Sequence, residues 1–411
     1  MPTLTLDLVE LALMILSLVC AMYWGIVWAR VVQTRRRLPT ARDGIALAEA
    51  DPPTQRVCVV VPAHNEAGNI ATLIASLREQ DYDRLDVVLA LDRCTDDTLG
   101  VAREAIGGDH RFEIVEIESC PEDWAGKVHA AHSGVTRGVA PPKADVLIFT
   151  DADTRFHPSC VRATLALARE RGLDLLSLLS TLEGRAWYER IVQPAAGFEL
   201  ARQYPLLHIN RRGEDRRSFA NGQFMLFDAP AYHQLGGHGH EHIRGALLED
   251  LALASLFKHR GKLGGVLMSD GMLMCAMYRG WAAFVKGWKR IYTESANREI
   301  RRLRRYAWRV PLANTLLPIA SLACVVLSLA LGDAPTRIGG VAIGGAGLGA
   351  WLGAVVMILR MGRAPVRDAP GFLIGSVLVG RIFALAARDL ARGTPTTWGG
   401  RSYARRAVGA R

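Results

Sequence analysis

Three long runs without a charged side chain limit what this chain can become. Residues 11–29, 312–331 and 338–359 are nineteen, twenty and twenty-two residues long. A helix rising about 1.5 Å per residue crosses a hydrocarbon core of about 30 Å with that many residues, so the sequence predicts a membrane protein. The first run follows Asp7 and Glu10, precedes Arg30, Arg35, Arg36 and Arg37, and has no small-residue cleavage site. This predicts a retained anchor over 1–30 with its N-terminus outside, not a removed signal peptide. Arg298, Arg301, Arg302, Arg304, Arg305 and Arg309 crowd ahead of the second run. The net charge of +10 therefore reads as membrane topology and not as nucleic-acid binding. Residues 370–387 are also apolar, but Arg381 interrupts them. A full crossing would carry Arg388, Arg392, Arg401, Arg405, Arg406 and Arg411 outside. A re-entrant or interfacial segment returning to the cytoplasm is expected instead. The seven cysteines show no C-x-x-C spacing and read as reduced packing residues.

Between the runs, the most informative stretch is Val146-Leu147-Ile148-Phe149-Thr150-Asp151-Ala152-Asp153. Five β-favouring residues predict a buried parallel strand, and two carboxylates stand where it ends. In an open α/β sheet the ligand crevice lies beyond the carboxyl ends of the strands, which places Asp151 and Asp153 in it. Such a pair suits Mg²⁺ or Mn²⁺, because Mg²⁺ keeps several waters and takes one or two protein carboxylates plus substrate phosphates.

The preceding chain alternates strand and helix. Residues 57–61, 86–91, 112–117 and 146–150 read as strands, and segments starting near Asn69, Asp96 and Lys127 as helices. Consecutive βα units predict a doubly wound, mostly parallel α/β sheet with helices on both faces. The turn Pro62-Ala63-His64-Asn65-Glu66 follows the first strand and Asp92-Arg93-Cys94-Thr95-Asp96-Asp97 the second, on the edge where Asp151 and Asp153 emerge. G-x-G-x-x-G is absent after the first strand, and so is a P-loop, which excludes dinucleotide-type and Walker-type binding.

These residues together resemble the family 2 glycosyltransferases. Val60-Val61-Pro62-Ala63-His64-Asn65-Glu66 is similar to that family's V-x-P-x-x-N-E, Leu91 to Thr98 to its nucleoside-binding D-x-S-T-D-x-T, and Phe149 to Asp153 to its T-D-A-D. Leu91 and Cys94 depart from the pattern. The resemblance implies an inverting enzyme of GT-A-like fold with a nucleotide-sugar donor, a UDP-sugar being the expected one. Pro62, Glu66 and Asp92 would hold base and ribose, while Asp151 and Asp153 would hold the metal. Asp123-Trp124-Ala125-Gly126-Lys127 resembles the W-x-G-K of a membrane-bound subgroup with hopene-associated and carotenoid-type members. Lys127 is then either a donor-phosphate ligand at a helix N-terminus or a solvated lysine after a turn. Ala220 to Phe227 matches the same subgroup and reads as a glycine-interrupted strand.

Glu249 and Asp250 open a helix, where acids ordinarily complement the dipole. The family pattern places a general base here, which implies Asp250 as that base and Glu249 as its support. The histidines of Gly236-Gly237-His238-Gly239-His240-Glu241-His242 lack a second ligand pair for zinc, and His238 matches a family G-G-H on the acceptor side. Trp281, Phe284, Val285, Trp288, Ile291 and Tyr292 fall at helical spacing among basic residues, predicting a helix in the membrane interface. Processive synthases of this family carry Q-x-x-R-W there. Gly287-Trp288-Lys289-Arg290 replaces it, which implies transfer of a single sugar. Trp398-Gly399-Gly400-Arg401-Ser402-Tyr403 is similar to the subgroup's W-x-G-R-x-Y, implying that Arg401 helps hold the diphosphate.

The expected organisation is an anchor (1–30), a cytoplasmic linker (31–55), a catalytic domain (56–278), an interface helix with a basic segment (279–310), a transmembrane hairpin (311–360) joined by a turn at 332–337, and an interfacial segment with tail (361–411). The expected activity is sugar transfer to a membrane-lipid hydroxyl at the cytoplasmic face of a bacterial-type inner membrane. A processive polysaccharide synthase and a non-catalytic membrane scaffold of the same fold are the alternatives.

Overall fold

The computed structural model describes residues 2–213, 217–331, 334–398 and 401–403. Helix α1 (Pro2–Arg37) leads through α2 (Gly44–Ala50) into a strand-helix series: β1 (Val57–Ala63), α3 (Ile70–Arg78), β2 (Leu85–Asp92), α4 (Thr98–Ile106), β3 (Phe112–Ile117), α5 (Gly126–Arg137) and β4 (Val146–Thr150). Then come β5 (Thr154–Phe156), α6 (Cys160–Arg171), β6 (Leu175–Leu179), β7 (Thr181–Leu182), α7 (Trp187–Ile191), α8 (Gln193–Gln203) and α9 (Leu206–Ile209). The domain closes with β8 (Phe224–Asp228), α10 (Ala229–Gln234), α11 (Glu241–Arg244), α12 (Glu249–His259), β9 (Gly264–Met268) and β10 (Leu273–Cys275). Helices α13 (Trp281–Ser295), α14 (Ile300–Pro311), α15 (Leu317–Leu331), α16 (Ala334–Met361) and α17 (Gly371–Ala391) complete the chain, apart from a small hairpin near its end.

The main sheet has the order β3-β2-β1-β4-β8-β6-β9. Val57 pairs with Leu85 on one side and Val146 on the other, both parallel. The order reverses between β1 and β4, so the ligand crevice opens there, beyond Ala63 and Thr150. β8 runs antiparallel to β4 and β6, so the sheet is mixed, mostly parallel as expected. The alternating side chains of β1 build two cores. Val57, Val59 and Val61 pack with Leu73, Ile74 and Leu77 of α3. Cys58 and Val60 pack with Val128, Ala131 and Val135 of α5.

The segment expected as a linker is structured. α1 continues helical to Arg37, and α2 lies on α6, where Gly44 approaches the Ala163 carbonyl too closely for a Cβ. The basic segment and the second apolar run form one helical rod, Ile300–Leu331, with a π-helical turn over Leu312–Leu316. The connection to the third run is shorter than the expected 332–337 turn, because Ala334 already begins α16. Among the described residues, four helices are long and apolar enough to cross a membrane: Leu8–Arg37, Ile300–Leu331, Pro335–Met361 and Gly371–Ala391. α1, α15 and α16 pack together through small residues: a Cβ on Gly344 would sit 2.8 Å from the Ser321 carbonyl, and one on Gly347 2.9 Å from that of Ser17. α17 is one unbroken helix lying against α14, α13 and α8. The expected interface helix α13 spends its apolar stripe on protein. Phe284, Trp288 and Tyr292 are buried, and the Tyr292 ring stacks on Phe383 of α17 at 3.8 Å.

Gly134 sets how closely α5 approaches the sheet, since a Cβ there would lie 2.7 Å from Val60 Cγ1 and 3.2 Å from Ala90 Cβ. Gly134→Leu is expected to lower the Tm of the purified protein through overpacking of about 1–3 kcal/mol. An unchanged Tm would contradict this packing.

Candidate active site

The first two βα turns are knitted into one wall. Asn65 takes a left-handed backbone (φ 57°), which Asn tolerates, and its Oδ1 accepts from the Thr95 and Asp96 N–H groups at 2.7 and 3.3 Å. The Glu66 N–H donates to Thr98 Oγ1 (2.8 Å) and the Ala67 N–H to Asp96 Oδ2 (3.2 Å). The Glu66 carboxylate accepts from Asn69 Nδ2 at 2.7 Å; burial raises its pKa, with Asn69 partly offsetting the shift. Asp92 is only 2% exposed, and both of its carboxylate oxygens are held by the Arg93 guanidinium at 2.8 and 2.6 Å. Pro62 lies at the carboxyl end of β1, half-buried beside this wall.

The end of β4 supplies Asp151 and Asp153, separated by the small buried Ala152. Burial pushes the Asp153 carboxyl up to about 8, helped by the negative charges of Asp151 and Glu66. Cys275 Sγ of β10 lies 3.5 Å from Asp153 Oδ1 as a thiol donor, and burial raises the thiol pKa well above its usual value.

Across the crevice, Leu248 caps α12, which begins with Glu249 and Asp250. Lys127, in the first turn of α5, joins the two sides. Its Nζ lies 2.6 Å from Asp151 Oδ1 and 2.7 Å from Glu249 Oε1. Burial works against the ammonium, yet the two carboxylates outweigh it and raise the Lys127 pKa. The same ammonium outweighs burial at Glu249 and lowers its pKa. Asp250 has no such partner; burial and the neighbouring Glu249 charge push it up to about 7. Two backbone donors orient its carboxylate: Gly222 N–H to Oδ2 at 2.9 Å and Leu251 N–H to Oδ1 at 2.8 Å. Gly222 sits inside the cluster. A Cβ there would lie 3.0 Å from Lys127 Nζ, 3.3 Å from Glu249 Oε1 and 3.5 Å from Asp250 Oδ2.

Asp151, Lys127, Glu249 and Asp250 are thus gathered at one mouth, with Asp153 and Glu66 on the β4 side. Lys127 is a largely buried bridge between two acids, its side chain 18% exposed. Sequence reasoning missed that bridge, the Gly222 amide and Cys275. Only the glycine in the β8 approach hinted at a close backbone contact. Arg279 Nη2 donates to the Gly68 carbonyl and to Asn69 Oδ1, both at 2.8 Å, tying the start of α13 to the first turn. His238 is a core residue: it is 1% exposed, its Nδ1 pairs with the Tyr232 hydroxyl at 2.7 Å, its ring packs on Phe149, and burial lowers its pKa to about 3. The side chain of Arg401, with Gly399 and Gly400, lies outside the described residues.

Among the described residues, no group of three or more His, Cys, Asp or Glu side chains is arranged to hold a metal ion. Asp151 and Asp153 nevertheless fit the hard-cation mode that uses two carboxylates and fills its shell with water and phosphate oxygens. The repulsion that raises the Asp153 pKa is also one a cation relieves.

Residues 58–234 match the family model described as glycosyl transferase family 2. A 4,4'-diaponeurosporenoate glycosyltransferase of Staphylococcus haemolyticus (strain JCSC1435) is 24% identical over 239 residues, covering 57% of this chain and 60% of that protein. The chain therefore spans less than two thirds of the length of that curated relative. Among solved structures, the mannosyltransferase PcManGT from Pyrobaculum calidifontis, in complex with GDP-Man and Mn²⁺, is similar with a TM-score of 0.47 and 16% identity, over 93% of this chain and 98% of that one. The S. aureus TarS 1-349 complex with UDP-GlcNAc gives 0.41 and 13%, over 87% and 98%.

Removing Lys127 leaves buried Glu249 uncompensated, a loss of about 3–5 kcal/mol. Lys127→Met is expected to lower Tm strongly, and Lys127→Met/Glu249→Gln to recover part of the loss. Additive effects of the two substitutions would show that the bridge does not hold in solution.

Proposed function

From the match of residues 58–234 to the model described as glycosyl transferase family 2, we propose that the chain transfers one sugar, with inversion, from a nucleotide-sugar donor to the hydroxyl of a membrane lipid. The observation that carries this reading is the meeting of Asp151 and Asp153 with Glu249 and Asp250 around Lys127, at the switch point of the sheet. The four apolar helices support a lipid acceptor and a domain held at the membrane, on its cytoplasmic face by the distribution of arginines.

In this reading the nucleoside of a UDP-sugar lies against Pro62 and Glu66, and against Asp92 once Arg93 swings off its carboxylate. Asp151 and Asp153 would hold a Mg²⁺ or Mn²⁺, which when bound would neutralise the charge growing on the leaving diphosphate. Asp250 takes the proton of the acceptor hydroxyl as its oxygen attacks the anomeric carbon from the face opposite the departing diphosphate. Its high pKa makes it a competent base near neutrality, and the Gly222 and Leu251 amides aim its oxygens. Glu249, neutralised by Lys127, fixes the start of α12 that carries the base.

Asp250→Asn is expected to cut the transfer rate by roughly 10²–10⁴-fold while donor binding persists. Because the base works ionised, the wild-type rate should rise with pH through about 7 and level off above it. A flat profile across that range, or full activity of the variant, would remove Asp250 from this role.

Chelation with EDTA is expected to abolish transfer and Mn²⁺ or Mg²⁺ to restore it. Radiolabelled product should remain chloroform-soluble with one sugar per lipid. A growing polymer would favour a synthase instead, and nucleotide sugars left intact under every metal condition would favour a scaffold.

A further inference from the structure

A second cavity, of about 460 Å³, lies at the foot of the first and third apolar helices, away from the catalytic acids. The last turns of α1 and α16 form one side of it with Thr34, Arg35 and Arg360, and Leu38, Leu206 and Met268 form the floor. Asp270 is the one acid lining it among the described residues, and its charge is already met. Arg363 Nη1 lies 3.0 Å from Asp270 Oδ1 and Arg42 Nε lies 3.8 Å from Oδ2. The positive charges of Arg35 and Arg360 therefore have no counterpart in the lining. Both stand on the last turns of their helices, where the negative dipole end stabilises a guanidinium but works against an anion, so attraction for an anion has to come from the two side chains themselves.

We infer that this cavity binds the phosphate of an anionic phospholipid, with Arg35 and Arg360 as its paired ligands. A lipid fits better than free phosphate because Arg35 and Arg360 close two helices long and apolar enough to cross a membrane. Those helices carry exposed apolar side chains, Ile26 and Trp28 on α1 and Leu352 on α16, which suit the acyl layer around a headgroup held at the helix ends. Basic pockets between membrane helices recognise lipid headgroups by this arrangement. Through Met268 the site adjoins β9, which leads within a few residues to β10 and Cys275. The inference rests on the membrane placement proposed above and not on sugar transfer.

The test uses the full chain in a neutral detergent, without donor or acceptor, so loss of transferase activity cannot mimic its failure. Dihexanoyl-phosphatidylglycerol, dihexanoyl-phosphatidylcholine and inorganic phosphate are titrated separately, with Tm and native mass spectra as readouts. The glycerol lipid should raise Tm saturably and appear as one bound molecule, and the other two should not. Arg35→Gln and Arg360→Gln should each weaken binding about fivefold, and the double variant about thirtyfold, the loss carried by about 1 kcal/mol per interfacial arginine. R35K/R360K should retain binding. R301Q/R304Q, which removes charge elsewhere on the basic surface, should bind as wild type. Equal binding of phosphatidylcholine, equal binding of inorganic phosphate, or equal loss in R301Q/R304Q and R35Q/R360Q would each overturn the assignment.

Discussion

One ammonium group holds the candidate active-site crevice together. Lys127 Nζ stands between Asp151 at the end of β4 and Glu249 at the start of α12, within 2.7 Å of each. An unpaired buried charge is prohibitive, so the ionised state of buried Glu249 depends on Lys127 standing beside it. The consequence reaches beyond the three residues. Each acid belongs to a doublet, and Lys127 compensates one member of each. The others, Asp153 and Asp250, are left with pKa values pushed up to about 8 and about 7. The two uncompensated carboxyls are therefore the ones free to take up a cation or a proton, one on each side of the crevice.

The remaining geometry serves this arrangement through close approach. Gly222 lacks the Cβ that would intrude among Lys127, Glu249 and Asp250, which lets its amide reach Asp250. Gly134 lets α5 settle on β1 and β2, and α5 carries Lys127 in its first turn. On the opposite side, Tyr278 packs against Gly287 so closely that a Cβ there would meet its ring. The burial of Tyr278 raises its pKa to about 12 and keeps it a neutral hydroxyl beside Arg290. Gly287 is thus used for packing between α13 and the chain leaving β10.

How much of this was legible beforehand depends on the range of the interaction. The strands 57–61 and 146–150 announce themselves by composition, and the D-x-D by its place at a strand end, because those signals lie within a few residues. The antiparallel β8 was not legible as such: its residues read as a strand, but direction is set by the long excursion through α6, β6 and α8. Asp250 stood out only through a family resemblance, since an acid in a first helical turn looks like any dipole complement. Lys127 was the larger miss. Nothing local distinguishes a solvated lysine from one whose partners stand on β4 and α12. The α13 stripe shows the same limit: spacing defines an apolar face, but not whether lipid or α17 covers it.

The junction between the globular domain and the apolar helices is itself built from buried polar contacts. Glu199 of α8 is 0% exposed, pairs with the Arg309 guanidinium and accepts from Asn314 Nδ2 at 3.3 Å. Asn314 lies in the π-helical turn over Leu312–Leu316, where the helix ladder shifts and carbonyls lose their usual partners. Trp24 of α1 supplies one replacement, donating from Nε1 to the Ala313 carbonyl at 3.0 Å while its ring stacks on Phe198 of α8. A buried ion pair adds little net stability against an apolar substitute, but it tolerates few alternative arrangements. The same rod carries the basic α14 and the apolar α15, so fixing Arg309 on Glu199 sets the height at which charge gives way to exposed apolar residues such as Leu316, Leu322 and Leu329. Arg279 then ties the start of α13 to the turn after β1. The distance from the apolar rods to the crevice is thereby held by these side-chain contacts.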